Sequence, residues 1–388
     1  MISLDKGSAE KAFSQVFEVI KSSYPFKNKR EFFEFEKVFF KYQKRLTSLD
    51  FEAEFYLFLK DFLANLKNSH TKLGNYSGRS FFQPNGHSVV FASEKYFLKK
   101  GSDILGRIIS INGKKPEAVM KEKMKKVAAS TKQYAFVQAL KLFLGNMESG
   151  SIEVELRIGN KAKIIKLSQR PLKFKASNKI LTAKIFGQVG YLEIESWTGE
   201  ALSGDLEKKL EFFKKKKIKS LIIDVRENSG GNSELAKRFA SHFFNKKVVF
   251  GVVLERKSRE SFRLVKRKLY VEPTSPYYGW PICLLIGPAC LSSNEYFIGG
   301  LKDNQRAVLF GMPTGGGSGN PKKSNIQIGD LNFELLVSSW IFYRANGKLL
   351  EGRGIRPDVV VNKTITDKKN DKDVVLEKVI NFRVRSCI

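Results

Sequence analysis

Between residues 189 and 310, short and almost uninterrupted apolar runs alternate with segments whose apolar residues recur at helical spacing. The runs at 220–225 and 282–286 are the clearest, and glycines cluster where such runs end. Parallel strands that are buried on both faces have this texture, and their alternation with helices is typical of an α/β layer. We therefore predict an α/β core with largely parallel strands over residues 177–388.

Two other textures precede this core. Residues 8–67 show phenylalanine-rich stripes at helical spacing, whereas 85–167 mixes strand-like runs with one clear helix. The predicted elements are helices at 9–20, at 31–42 and from an Asp50 cap onward, then strands at 89–92, 106–111 and 152–158 around a helix at 116–127. We predict an N-terminal helical bundle (1–80), a separate α+β module (85–170) and the core (177–388), with a linker at 171–176.

The formal net charge of +30 suggests a nucleic-acid or anionic partner. However, the lysines are spread along the chain, and no zinc-finger spacing or aromatic RNA-binding signature accompanies them. We expect a lysine-rich solvated surface and no nucleic-acid partner. No apolar run reaches about 18 residues, so no membrane span is expected. The first residues lack the apolar core of a signal peptide, which fits either a cytoplasmic chain or an exported one whose leader has been removed.

The three cysteines, Cys283, Cys290 and Cys387, have neither metal-ligand spacing nor a disulfide pattern. Cys283 falls inside an apolar run and is predicted to be a core residue. Cys290 lies close to Ser292, so a thiol nucleophile is a less favoured alternative there. We expect no metal and no cofactor.

Ser292 stands where the run at 282–286 gives way to a helical segment. A serine at a helix start most often caps the helix. The same position can expose a hydroxyl beside backbone N–H groups that face a developing negative charge. Both interpretations, cap and nucleophile, are open on this segment alone.

A nucleophilic serine needs a base, and the chain has three histidines. His242 falls inside a predicted helix and His87 in a loop before a strand. His70 follows a helix end, where a ring can be aimed into a cleft, and is the best placed. Glu351, among glycines near the C-terminal end, is either a solvated turn carboxylate or the group that orients the imidazole.

Several segments occur together in a characteristic order. They are NSHT at 68–71, ILGRIISINGKKPEAV at 104–119, VGYLEIESW at 189–197, SLIIDVRENSGGN at 220–232, SSNE at 292–295, the glycine turn at 315–317 and LEGRGIRPDVVV at 350–361. So arranged, they resemble the serine peptidase family of the carboxy-terminal processing proteases and the tricorn core. The resemblance implies a crotonase-like layered α/β protease core with an inserted PDZ-like module.

The resemblance also implies which branch of the family this is. Processing proteases of the Ser-Lys type place the base 25 residues after the serine, where this chain has Gly317; the nearest later lysine is Lys322. The tricorn-like branch instead uses a histidine and a glutamate about 59 residues beyond the serine, which is the position of Glu351. The resemblance thus favours the non-lysine branch.

By position, the resemblance makes Ser292 the nucleophile, His70 the base and Glu351 the residue that orients the base, with Ser69 supporting the glutamate. It assigns the oxyanion hole to the N–H groups of two residues, Gly230 and Ser293. The implied activity is hydrolysis of polypeptides through an acyl-enzyme. A catalytically inactive relative whose cleft binds a peptide or another ligand is the alternative.

Overall fold

The computed structural model describes residues 6–46, 52–76, 81–146, 150–171, 180–258, 260–329, 331–362, 366–367 and 372–386. Its helices are α1 (Lys6–Ser23), α2 (Lys29–Arg45), α3 (Glu52–Ala64), α4 (Pro116–Lys125), α5 (Lys132–Lys141), α6 (Leu202–Lys215), α7 (Ser233–Ser241), α8 (Ser293–Asp303) and α9 (Val374–Ser386). Its strands are β1 (Lys72–Tyr76), β2 (Phe82–Pro84), β3 (His87–Ala92), β4 (Lys95–Lys100), β5 (Asp103–Ile111), β6 (Ser151–Ile158), β7 (Lys161–Pro171), β8 (Leu181–Phe186), β9 (Val189–Ile194), β10 (Ser220–Asp224), β11 (Val248–Arg256), β12 (Leu264–Val271), β13 (Ile282–Ile286), β14 (Ala307–Gly311), β15 (Lys322–Ile328), β16 (Leu331–Val337), β17 (Trp340–Arg344) and β18 (Val359–Val360).

A six-stranded sheet in the order β18-β14-β13-β10-β9-β8 forms the centre of the core. The strands from β18 to β9 pair in parallel and only β8 is antiparallel. Every residue of β10 and β13 is buried, which explains why these strands lack polar alternation. The predicted parallel α/β layer is therefore confirmed for these strands, and the predicted core position of Cys283 on β13 is confirmed too.

The apolar run at 248–254 lies within the stretch 189–310, whose runs were expected to be strands of this layer, but it does not belong to the layer. It forms β11, which pairs antiparallel with β12 and β17 in a separate three-stranded sheet. The prediction of a strand was correct, but its assignment to the parallel alternation was wrong. The reason is that β11 is followed directly by an antiparallel partner rather than by a crossover helix.

The three N-terminal helices share an aromatic core in which Phe13, Phe17 and Phe39 stack on one another. Residues of β15 and β16, from late in the chain, complete that core, so the helices pack against a strand pair. The predicted helix positions are confirmed within a few residues. The Asp50 cap and most of the predicted linker at 171–176 lie outside the described residues.

The α+β module is a second six-stranded sheet, in the order β2-β7-β6-β5-β4-β3, packed with α4 and α5. The sequence prediction missed α5, which begins after a Thr131 cap and packs along the edge strand β3. Among the helices that the structure describes, none is both long and apolar enough to cross a membrane.

Candidate active site

Ser292 lies between β13 and α8 in a backbone conformation that side-chain-bearing residues rarely adopt, with φ 60° and ψ −129°. Its side chain makes no capping hydrogen bond to the helix that it precedes. Its backbone N–H instead donates to the carbonyl of Gly317 at 2.8 Å. The capping interpretation is therefore wrong, and the hydroxyl is held at a turn whose strain other parts of the fold sustain.

Two glycine-rich turns face Ser292. A Cβ built on Gly230 would lie 2.7 Å from the Cβ of Ser292, so only glycine fits this approach. The Gly230 N–H donates to Oδ1 of Asn228 at 2.8 Å and is engaged in this structure. The N–H of Ser293, at the start of α8, has no hydrogen-bond partner among the described residues. Of the two donors expected for an oxyanion, that of Ser293 is therefore the one left available.

Glu295, on the first turn of α8, fixes the second glycine turn. Its fully buried carboxylate accepts the N–H groups of Gly316 at 2.9 Å and Gly317 at 2.8 Å, together with the hydroxyl of Thr314. Burial raises the pKa of Glu295 to about 8, although these three donors lower it. Because Gly317 in turn receives the N–H of Ser292, Glu295 indirectly sets the geometry of the serine.

His70 is buried directly before β1. Its backbone N–H donates to Oδ1 of Asn68 at 3.0 Å, but ring atom Nδ1 is buried without a partner among the described residues. Burial, and then the charge of Lys72, lower the pKa of His70 to about 3. The ring is therefore neutral, and within the described residues it bonds neither to Ser292 nor to Glu351.

The carboxylate of Glu351 has a different set of partners. Asn68 Nδ2 donates to Oε1 at 3.1 Å, the Ser130 hydroxyl also donates to Oε1, and the Ser318 N–H donates to Oε2 at 3.0 Å. Burial raises the pKa of Glu351 to about 7, while the bonds from Ser130 and Ser318 lower it.

Ser69 reaches the glutamate side chain through a residue that the sequence analysis missed. The hydroxyls of Ser69 and Ser130 lie 2.6 Å apart, and the Ser130 N–H donates to Ser69 Oγ at 3.0 Å. Ser130 belongs to the α+β module, in the stretch that precedes α5. The module thus supplies a direct hydrogen-bond donor to Glu351.

The segment 317–319 contacts all four residues that the resemblance makes the nucleophile, the base, the orienting carboxylate and its supporting serine. Its first glycine bonds Ser292, and a Cβ built there would lie 2.6 Å from Ser69 Oγ. Its central residue, Ser318, bonds Glu351, and a Cβ built on its last glycine would lie 2.9 Å from the Cβ of His70. Residues from distant parts of the chain therefore surround one loop, although the His70 ring is not yet joined to the other two side chains.

The remaining candidates lie away from this chemistry. Cys290 is buried, its thiol donates to the carbonyl of Val225 at 3.0 Å, and burial raises its pKa well above the ordinary value. A thiol nucleophile is therefore disfavoured. Lys322 is exposed at the start of β15. In the part of the chain that the structure describes, no cluster of histidine, cysteine and acidic residues could hold a metal ion.

A cavity of about 1080 Å³ opens beside the turn that leads to Ser292. One wall is the edge strand β3 together with α5 of the module, and the other is formed by the ends of the central strands. Gly287, Pro288 and Ala289, just before the serine, line the core side. An extended chain lying in this cleft would therefore run along the edge strand β3, an apolar helix face and the serine turn.

Comparison with known proteins supports the same family resemblance. Residues 188–361 match the model of peptidase family S41. A carboxy-terminal-processing protease of Bartonella bacilliformis (strain ATCC 35685 / KC583 / Herrer 020/F12,63) is 27% identical over 217 residues, covering 53% of this chain and 48% of the relative. The carboxy-terminal processing protease CtpB of Bacillus subtilis (strain 168) is 26% identical over 174 residues, covering 45% of this chain and 34% of the relative. This chain therefore spans half or less of the curated relatives that it matches.

The fold also matches a solved structure over nearly its whole length. Mature CPAF complexed with lactacystin superposes with a TM-score of 0.82 at 14% sequence identity, covering 98% of both chains. At this identity the likeness concerns the mixed helix-and-sheet fold. It includes the N-terminal helices, to which no sequence motif could be assigned.

Proposed function

We propose that this protein is a serine peptidase of family S41, whose model residues 188–361 match, and that it hydrolyses polypeptides with Ser292 as nucleophile. The observation that carries the proposal is the backbone of Ser292, held at φ 60° with its hydroxyl free of any capping bond. Such strain persists only where surrounding contacts enforce it, and it is common at catalytic turns. A serine with only a structural role has no need of it.

His70 is proposed as the base that takes the proton from Ser292 and returns it to the leaving amine. Its low pKa supplies the neutral ring that a base requires. Bonding to the carboxylate of Glu351 would satisfy the buried Nδ1 and raise the pKa of the ring toward the range of an effective base. The proposed catalytic state therefore needs a local rearrangement that brings the His70 ring to Glu351, on either side of the loop at 317–319.

The tetrahedral oxyanion is assigned to the N–H of Ser293, with that of Gly230 joining when Asn228 releases it. A hydrogen bond from one such donor is typically worth about 3 kcal/mol of barrier. Water then resolves the acyl-enzyme, with the same histidine acting as base. No step in this scheme calls for a metal or a cofactor.

The finer architecture belongs to the same proposal. We assign residues 177–388 to a crotonase-like layered core, 1–80 to a helical region that ends in the histidine motif, and 85–170 to a PDZ-like module. The module's edge strand β3 and helix α5 form one wall of the large cavity. A polypeptide substrate can add a strand to β3, as peptides do in β-augmentation, and continue toward Ser292.

The second candidate function is peptide binding without catalysis. The unbonded ring of His70 is the observation that favours it. A fluorophosphonate probe separates the two candidates, because it reacts only with an activated serine. We expect the wild-type protein to be labelled and Ser292→Ala to remain unlabelled. An unlabelled wild-type protein that still binds peptide would favour the second candidate, and labelled Ser292→Ala would exclude Ser292 as nucleophile.

A further inference from the structure

A second, smaller cavity of about 170 Å³ lies where the helical region, strand β1 and the α+β module meet. Three lysines from three separate segments line it: Lys60 on α3, Lys72 on β1 and Lys126 directly after α4. The rest of its lining consists of Tyr56, Leu63, Leu73, Val127, Ala128, Tyr134, Gln138 and Leu142. The lining therefore carries positive charge and no carboxylate. One water needs a cavity of only about 10–15 Å³, so this cavity can hold a larger group.

The charges of these lysines are only weakly compensated: Lys60 Nζ lies 5.6 Å from the centroid of the Tyr56 ring in a cation–π contact. Within the described residues, none of the three forms an ion pair with a carboxylate. Burial, followed by the charges of Lys126 and Lys123, lowers the pKa of Lys60 to about 8. Burial by neighbouring atoms also lowers the pKa of Lys72, although this residue is exposed to solvent on one side of the cavity. Gathering like charges around one small cavity costs free energy, and the cation–π contact of Lys60 offsets a part of that cost.

We propose that this cavity is an anion-binding site, formed by Lys60, Lys72 and Lys126, that takes a phosphate group. Lysine binds phosphate as a point charge, and three of them suit a doubly charged tetrahedral anion better than a singly charged carboxylate. The hydroxyl of Tyr56 and the amide of Gln138 add neutral polar groups to the lining. The phosphate can be the free ion or the end of a larger molecule.

The cavity also adjoins the candidate active site. Lys72 lies two residues after His70, and its charge is the second cause of the low pKa of that ring. Tyr134 lines the cavity and also contacts the second glycine turn, because a Cβ built on Gly315 would lie 2.8 Å from its ring. An anion bound here would therefore offset the charge of Lys72 next to the proposed base. The anion site itself does not depend on the protein being a peptidase.

Binding is tested on the full chain by calorimetry and thermal unfolding, with sodium phosphate against sodium chloride at equal ionic strength and pH 7. A ligand that binds only the folded state raises the unfolding temperature in a saturable way. We expect phosphate to stabilise the wild-type protein. Lys60→Met should weaken phosphate binding by roughly tenfold or more, since a hydrogen bond to a charged group is lost.

Lys60→Met should also unfold at a higher temperature than the wild type in chloride, because it removes a partly buried charge that lies near the charges of Lys126 and Lys123. This second readout separates a lost site from a damaged fold. The matched control is Lys216→Met, which removes the same charge at the exposed end of α6. The control should keep the wild-type response to phosphate.

Equal stabilisation of the wild type and Lys60→Met by phosphate would overturn the proposal, since it would mean diffuse binding to a surface of net charge +30. An absence of any phosphate effect on the wild type would overturn it as well. Tighter binding of acetate than of phosphate would refute the phosphate class. A phosphate monoester, glycerol 2-phosphate, shows whether the bound phosphate is the free ion or part of a larger molecule. If the monoester binds as tightly as phosphate, the site takes the phosphate group of a larger ligand. If only inorganic phosphate binds, the site takes the free ion.

Discussion

Replacing Ser292 by glycine should leave the protein more stable than replacing it by alanine, although both changes remove the hydroxyl. At φ 60° and ψ −129° the serine occupies a region that glycine enters freely and other residues enter at a cost of about 1–3 kcal/mol. Glycine loses more chain entropy on folding, which costs roughly 0.5–1 kcal/mol relative to alanine. The difference leaves Ser292→Gly more stable than Ser292→Ala by about 0–2.5 kcal/mol, with a central value of about 1 kcal/mol.

The alanine variant should unfold almost like the wild type. Alanine keeps the strained backbone, and the lost hydroxyl makes no capping bond. Urea unfolding gives the comparison through the midpoint at constant slope. Both variants should fail to react with a fluorophosphonate probe.

A control pair gives the ordinary behaviour of the two replacements. Ser203 lies in the first turn of α6, where glycine should be less stable than alanine by about 1 kcal/mol. The sign should therefore reverse between the two sites. If Ser292→Gly proved no more stable than Ser292→Ala, the turn would hold no strain, and the main support for Ser292 as nucleophile would be gone.

Three other changes address the surrounding groups. Ser130→Ala removes a donor that lowers the pKa of Glu351, so that pKa should rise above about 7. Activity that needs the ionised carboxylate should then be lost at a higher pH than in the wild type as the pH falls. A pH–rate profile measures this shift. An unchanged profile would contradict the role of Glu351. Lys322→Ala should leave casein hydrolysis intact, and a loss of activity would restore a lysine base. Asp373→Asn breaks the pair with Arg226, whose two atoms reach the carboxylate at 2.8 and 2.6 Å, and should destabilise the docking of α9 by roughly 1–3 kcal/mol; unchanged urea unfolding and proteolysis of that helix would contradict it.

The strands of the central sheet could be predicted closely because their consecutive residues are apolar and buried. The expected run at 282–286 coincides with β13, all of whose residues are buried. The missed helix α5 had a local signal, since Thr131 accepts the N–H of Tyr134 as a cap. That signal was overlooked among short polar residues.

The hydrogen bonds of the site could not be predicted in this way. Ser130 donates a hydrogen bond to a glutamate 221 residues away, and no pattern in the residues next to it in the sequence indicates that contact. Likewise, the resemblance assigned His70 to the site, but it did not indicate that Gly319, far along the chain, packs closely against the His70 side chain. Side-chain orientation follows from tertiary contacts that a single sequence does not encode locally.

The bond between Asn68 and Glu351 closes a loop of 283 positions. A ribosome adds about 5–20 residues per second, so the second partner is made on the order of tens of seconds after the first. During all of that time the growing chain carries the histidine motif without the carboxylate that belongs beside it. Until Glu351 has been made, such a nascent polypeptide lacks the carboxylate proposed to orient its base, so the proposed peptidase chemistry cannot act on neighbouring chains during that interval.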